Sequence, residues 1–139
     1  MIAQSELVVT DTDLARLSEM ARALRANRHP YRQYAGQLEV ELARARVVPR
    51  GEVEADVVTM NSTIRIREQR GREVEEFTLV YPNEADALNG RLSVLAPLGM
   101  AVLGARVGDV ITWRVPAGER TFRVERIVYQ PEAAGDVHL

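Results

Sequence analysis

Along residues 10–48 the apolar side chains recur at intervals of three and four: Leu14, Leu17, Ala21 and Leu24, then Tyr31, Ala35, Leu38, Leu42 and Ala45. Each series lays one narrow stripe along an α-helix, because residues three and four apart share a helical face. Thr10 stands at the position of an N-cap, Asp13 three residues later fits a capping box, and Val9 and Leu14 are placed as the two halves of a hydrophobic staple. Between the series comes Asn27-Arg28-His29-Pro30, where proline disfavours helix in the residue before it and suits the first turn of a new helix. Two matching stripes joined by a short turn predict a short antiparallel helical hairpin of the coiled-coil kind, ended by Pro49-Arg50-Gly51, with arms of ~25 Å. So short a pair is marginal alone, so its base has to lean on the rest of the chain.

Beyond Gly51 the period falls from three and four to two. Ile64 and Ile66 alternate with arginines, and Phe77/Leu79/Tyr81, Ile111/Trp113/Val115 and Phe122/Val124 alternate likewise. Such alternation marks strands with one buried face. Gly71, Pro82-Asn83, Gly108-Asp109 and Pro116-Ala117-Gly118 separate them as turns. After Pro97, the residues Leu98, Met100, Ala101, Val102 and Leu103 form an apolar run that predicts one short helix packed on the sheet. The expected architecture is α+β: residues 1–50 the helical hairpin, and residues 51–139 an antiparallel β-sheet domain with one short helix.

Composition narrows the chemistry. The chain has 139 residues and no cysteine, which removes disulfides, thiolate metal sites and a cysteine nucleophile. All eighteen basic residues are arginine, so Schiff-base chemistry and a P-loop lysine are absent as well. A formal charge of −2 lacks the basic excess of a protein that grips duplex DNA through its phosphates, and direct specific DNA binding is not expected. No apolar run approaches the ~20 residues of a membrane span, and the N-terminus has no signal-peptide pattern, so a cytoplasmic protein is expected.

No catalytic constellation emerges. His29 and His138 are the only histidines, and neither has a partner at metal-binding or acid–base spacing. The serines offer no GxSxG elbow, Gly99, Gly104 and Gly108 match no phosphate-binding pattern, and Glu73, Glu75 and Glu76 read as a solvated strand face. No metal, cofactor or enzymatic activity is expected. The one charge asymmetry is at the hairpin turn, where Arg22, Arg25, Arg28 and Arg32 cluster with no acid between Glu19 and Glu39. A basic tip of this kind suits an acidic channel or phosphates, or is simply a solvated helix end.

The second half resembles the C-terminal domain of the Gre transcription factors. The resemblance is carried by Met60-Asn61-Ser62, by Leu79-Val80-Tyr81-Pro82, by Glu84-Ala85-Asp86, and above all by the run from Arg91-Leu92-Ser93 through Ala96-Pro97-Leu98-Gly99 to Leu103-Gly104 and on to Gly108-Asp109. Residues 56–62 and 129–136, with the short hairpin, point to a branch named for regulation of nucleoside diphosphate kinase. The resemblance implies an FKBP-like fold for the second half and a partner, bacterial RNA polymerase, gripped at the rim of its secondary channel while the hairpin points inward. It makes Ser93, Leu95, Pro97, Leu98 and Gly99 docking candidates, although Leu98, Ala101 and Val102 read equally well as core. It makes Arg25, Arg28, His29 and Arg32 the hairpin tip. Gre cleavage factors carry metal-holding carboxylates at that tip. This sequence has none, and its hairpin looks shorter than the long coiled coil of the cleavage factors, so binding without stimulation of transcript cleavage is implied. Two alternatives stay open: an FKBP-like peptidyl-prolyl isomerase using aromatics such as Phe77, Tyr81, Trp113, Phe122 and Tyr129, and an adaptor for another protein of nucleotide metabolism.

Overall fold

The computed structural model describes residues 6–27, 29–136 and 138–139. Two helices stand at the N-terminal end, α1 (Asp11–Ala26) and α2 (Arg32–Ala43), packed on each other along the expected stripe. Leu17, Ala21, Ala35 and Leu38 are fully buried, and Leu42 is nearly so. Tyr31 departs from the expectation: it is the N-cap residue of α2 and 48% exposed, so the stripe begins at Ala35. Thr10 caps α1 as predicted, its hydroxyl accepting from the Asp13 N–H at 3.0 Å. The reciprocal half of the capping box is replaced, because the Asp13 carboxylate accepts instead from the Met60 N–H at 3.0 Å.

The second helix stops earlier than Pro49. Residues Arg46–Val48, β-branched at two of three positions, form strand β2, which pairs in parallel with β1 (Val8–Thr10). The helical pair is therefore entered and left through one small sheet that the sequence pattern did not announce. Val8 N–H also donates to Gly104 O at 3.2 Å. Gly104 has φ +76, and a Cβ there would stand 2.7 Å from both Val8 O and Leu7 Cγ, so only glycine allows that approach.

The predicted strands appear as β3 (Thr63–Glu68), β4 (Val74–Val80), β6 (Val110–Val115) and β7 (Gly118–Tyr129), joined by the short strand β5 (Arg91–Ser93). Their spatial order is β5-β4-β3-β7-β6. The sheet is antiparallel except at β4–β5, which is parallel, so the expectation of a wholly antiparallel sheet is corrected there. A hydrogen bond from Asp86 N to Arg91 O helps turn the 82–90 connection back so that β5 can lie that way. Two register shifts between β3 and β7 bend the central pair. Inward residues Ile64, Ile66, Leu79, Ile111, Phe122 and Val124 are all fully buried, and Trp113 stacks on Phe122 with ring centroids 5.0 Å apart. Helix α3 (Pro97–Val102) packs against β6, and a last turn α4 (Pro131–Ala134) follows β7. Leu17, Leu38 and Leu42 from the helices join the same apolar cluster as Met60, Val94 and Leu103. Among the described residues, no helix is long and apolar enough to cross a membrane.

Candidate functional site

The segment 93–99 is a tight strand-to-helix corner. Ser93 Oγ accepts from the Leu95 N–H at 3.0 Å and Ser93 O accepts from the Ala96 N–H at 3.1 Å, which turns the chain out of β5. Pro97 then occupies the first turn of α3, where a missing N–H costs nothing. Gly99 is forced by this geometry: a Cβ would lie 2.1 Å from Ser93 O. The corner divides the candidate docking residues into two groups. Leu95 is 4% exposed and Gly99 is buried, so these two hold the corner's shape. Pro97 is exposed, and Ser93 and Leu98 are half-buried, so these present its outer surface. The core reading of Ala101 and Val102 agrees with their burial.

The far end of the helical pair comes round to meet this corner. Tyr31, Tyr34, Pro82 and Ala85 join Ser93, Leu95, Ala96 and Pro97 around a mainly apolar cleft of about 230 Å³. Tyr34 is 41% exposed, and its ring centroid is 6.4 Å from that of Tyr31, which in turn lies 5.0 Å from His29. Sequence reasoning missed this junction because it placed Tyr31 in the helical stripe. The spacing of three between Tyr31 and Tyr34 puts both rings on one side of the chain but does not say what they face.

At the helical end the basic residues are unequal. Arg25 spends its charge on Glu39 of the neighbouring helix, Nε to Oε1 2.6 Å. His29 is exposed and its Nδ1 accepts from the Tyr31 N–H at 3.1 Å. Arg22 and Arg32 are exposed. Arg28, the remaining tip residue of the sequence reading, lies outside the described residues. No acidic side chain falls between Glu19 and Glu39, and no cluster of potential metal ligands is present among the described residues.

The opposite end of the helices is tied to the sheet domain by buried polar groups. Asp13, 4% exposed, accepts from the Met60 N–H. Burial pushes its carboxyl up to about 6 from the ordinary 3.8; the Met60 hydrogen bond opposes this, Glu132 adds to it, and Arg16 and Arg50 oppose it. Burial and the adjacent Asp13 also hold the Tyr81 phenol far above its ordinary value. Alongside, Thr59 Oγ1 donates to Glu132 Oε1 at 2.7 Å, and Arg50 donates to the carbonyls of Asp136 and Leu139 at 3.3 and 2.7 Å. These contacts tie the first turn of α1 to Met60, and Arg50, just past the helical pair, to the C-terminal residues.

Comparison with known proteins places both halves. Residues 53–129 match the family model for the transcription elongation factor GreA/GreB C-terminal domain, and residues 6–48 match the model for the Rnk N-terminus. The regulator of nucleoside diphosphate kinase of Escherichia coli (strain K12) is 48% identical over 106 residues, which is 76% of this chain and 78% of that protein. The transcription elongation factor GreA of Thermodesulfovibrio yellowstonii is 36% identical over 91 residues, covering 66% of this chain and 56% of its own. Among solved structures, a prokaryotic transcription elongation factor GreA/GreB from Nitrosomonas europaea superposes with a TM-score of 0.73 at 37% identity, over 91% of this chain and all of that one.

Proposed function

This chain belongs to the GreA/GreB transcription elongation factor family, joined to an Rnk-type N-terminal region, and on that premise we propose that it is a non-enzymatic, cytoplasmic transcription regulator that binds bacterial RNA polymerase. It docks at the rim of the secondary channel through the 93–98 corner, and its helices, an antiparallel coiled-coil hairpin set on an FKBP-like domain, point inward. It does so without stimulating transcript cleavage.

The observation that carries this reading is the shared cleft. The exposed Pro97 and half-buried Ser93 stand beside Tyr31 and Tyr34, so one partner surface can engage both halves of the chain at once. Aromatic and proline surface around a small concavity is the composition of an interface anchor. Absence of cleavage follows from the tip and from the short reach of helices of 16 and 12 residues. A second metal at a polymerase active site needs carboxylate oxygens, whereas arginine offers donors only. Between Glu19 and Glu39 the sequence carries Arg22, Arg25, Arg28, His29 and Arg32 and no acid. Trp113 is 6% exposed and stacked on Phe122, which supports a core role for it in place of a proline-ring pocket.

The test is capture of polymerase from purified components by the parent protein and by Pro97→Asp. Binding by the parent and weakened binding by a folded Pro97→Asp supports the assignment. Failure of the parent to bind polymerase, with recovery of a nucleotide-metabolism enzyme from lysate, moves the chain to the adaptor reading.

A further inference from the structure

The outer face of the sheet carries an arrangement that the docking surface does not use. Across the β3–β7 pair Arg65 stands opposite Arg126, and Arg67 opposite Arg123. Like charges placed directly opposite on neighbouring strands destabilise a sheet. Two carboxylates relieve half of the array: Glu76 sits 2.9 Å from Arg65, and Glu125 grips Arg67 with both oxygens. Arg123 and Arg126 are exposed and form no ion pair with a described residue. Within this array four arginines stand against two glutamates, an excess of two positive charges on a chain whose total is −2.

The geometry of the array is as specific as its charge. Arg65 and Arg67 are two residues apart on one strand, a rise of ~6.8 Å, which is also the spacing of alternate side chains in any extended chain. Arg123 and Arg126 are three residues apart, and the register shift between Arg65 and Ile66 keeps each of them opposite its partner in β3. At one end Arg67, Arg123 and Glu125 line an open groove of about 480 Å³ with Val107 and Gly108.

We propose that this array is a docking surface for a protein partner that presents an extended segment with carboxylates at alternate positions. Guanidinium forks match carboxylates two-prong to two-prong, as the Arg67–Glu125 pair already does within the chain. A single-stranded nucleic acid is the weaker match. Surfaces that hold one interleave aromatic rings with the cations for base stacking; of the described aromatic residues on β3 and β7, Phe122 is buried in the core and Tyr129 has its hydroxyl engaged by Asp136. The surface is separate from the 93–98 corner, so its test does not depend on polymerase binding.

The probe is a fluorescently labelled peptide of alternating glutamate and serine, read by anisotropy at low salt, with a lysine–serine peptide and single-stranded oligouridine as comparisons. The parent should bind the acidic peptide saturably and lose affinity as salt is added. The double variant Arg123→Gln/Arg126→Gln should bind about tenfold more weakly, the loss expected of two exposed charge pairs. Glu125→Gln frees Arg67 and should tighten binding, which keeps the test decisive if the double variant does not fold. Equal affinity in parent and double variant, no gain in Glu125→Gln, or tighter binding of oligouridine than of the peptide each overturns the proposal.

Discussion

Replacing Asp13 by asparagine tests the buried junction between the helices and the sheet domain. The carboxyl has a folded-state pKa of about 6 against an ordinary 3.8. It therefore holds its proton more tightly folded than unfolded, and the ionised form costs stability once the pH exceeds 3.8. That cost grows until the pH passes about 6 and is constant above it. A displacement of about two pH units at ~1.4 kcal/mol each makes the full cost about 3 kcal/mol, of which about 2 develops between about pH 4.5 and pH 7.5. Asparagine keeps a carbonyl oxygen to accept from the Met60 N–H and carries no charge. Its amide hydrogens, if unmatched, take back ~1 kcal/mol at every pH. Urea unfolding followed by circular dichroism at the two pH values gives the comparison. The stability difference, variant minus parent, should be about 2 kcal/mol more favourable at the higher pH, because every other titrating group is common to both proteins. A difference that does not change with pH, or that favours the parent more at the higher pH, refutes the claim that burial dominates at Asp13 over the opposing Met60 hydrogen bond, Arg16 and Arg50.

Gly99→Ala places a methyl group against Ser93 O and should cost about 1–3 kcal/mol in thermal or urea unfolding, with polymerase binding weakened in the fraction that folds, because the corner must open. Tyr31→Ala/Tyr34→Ala removes two half-exposed rings from the cleft; thermal stability should change by less than ~1 kcal/mol while polymerase capture weakens, and unchanged capture would confine docking to the 93–98 corner. Asn27→Asp/His29→Asp supplies oxygen ligands at the helical end without lengthening it, and stalled elongation complexes treated with this variant should still show no added RNA cleavage; cleavage by the variant alone would show that tip charge, not reach, is limiting.

What could be read from the sequence was what short-range periodicity encodes. Leu17, Ala21, Leu38 and Leu42 lie in the helical stripe, and Ile64, Ile66, Phe122 and Val124 on the inner sheet face, because spacing alone assigns the buried side. Pairings between distant segments were not legible. The β1–β2 sheet joins residues that neither alternate visibly nor neighbour each other in sequence, so Arg46–Val48 reads as the end of a helix. Asp13 fits a local capping box, and its true acceptor role belongs to Met60, far along the chain. The candidate docking residues could be named from the motif, yet the motif could not say that Leu95 and Gly99 face inward while Pro97 faces out. The cleft needs Tyr31 and Tyr34 beside Pro97, a three-dimensional fact with no local signature.

The small parallel sheet at the root of the helices bears on the entropy of association. A helical pair fixed through a single linker sweeps a cone, and a partner that captures it must first freeze that motion, at a cost taken from its affinity. Here the chain enters through β1 and leaves through β2, the two are bonded to each other, and β1 is bonded in turn to Gly104 just beyond α3. Such a root acts as a welded bracket where a single linker would act as a hinge. The helices are thereby held in one orientation before any encounter, and the tie runs through Val8 and Gly104 to the C-terminal end of α3, the helix that Pro97 begins.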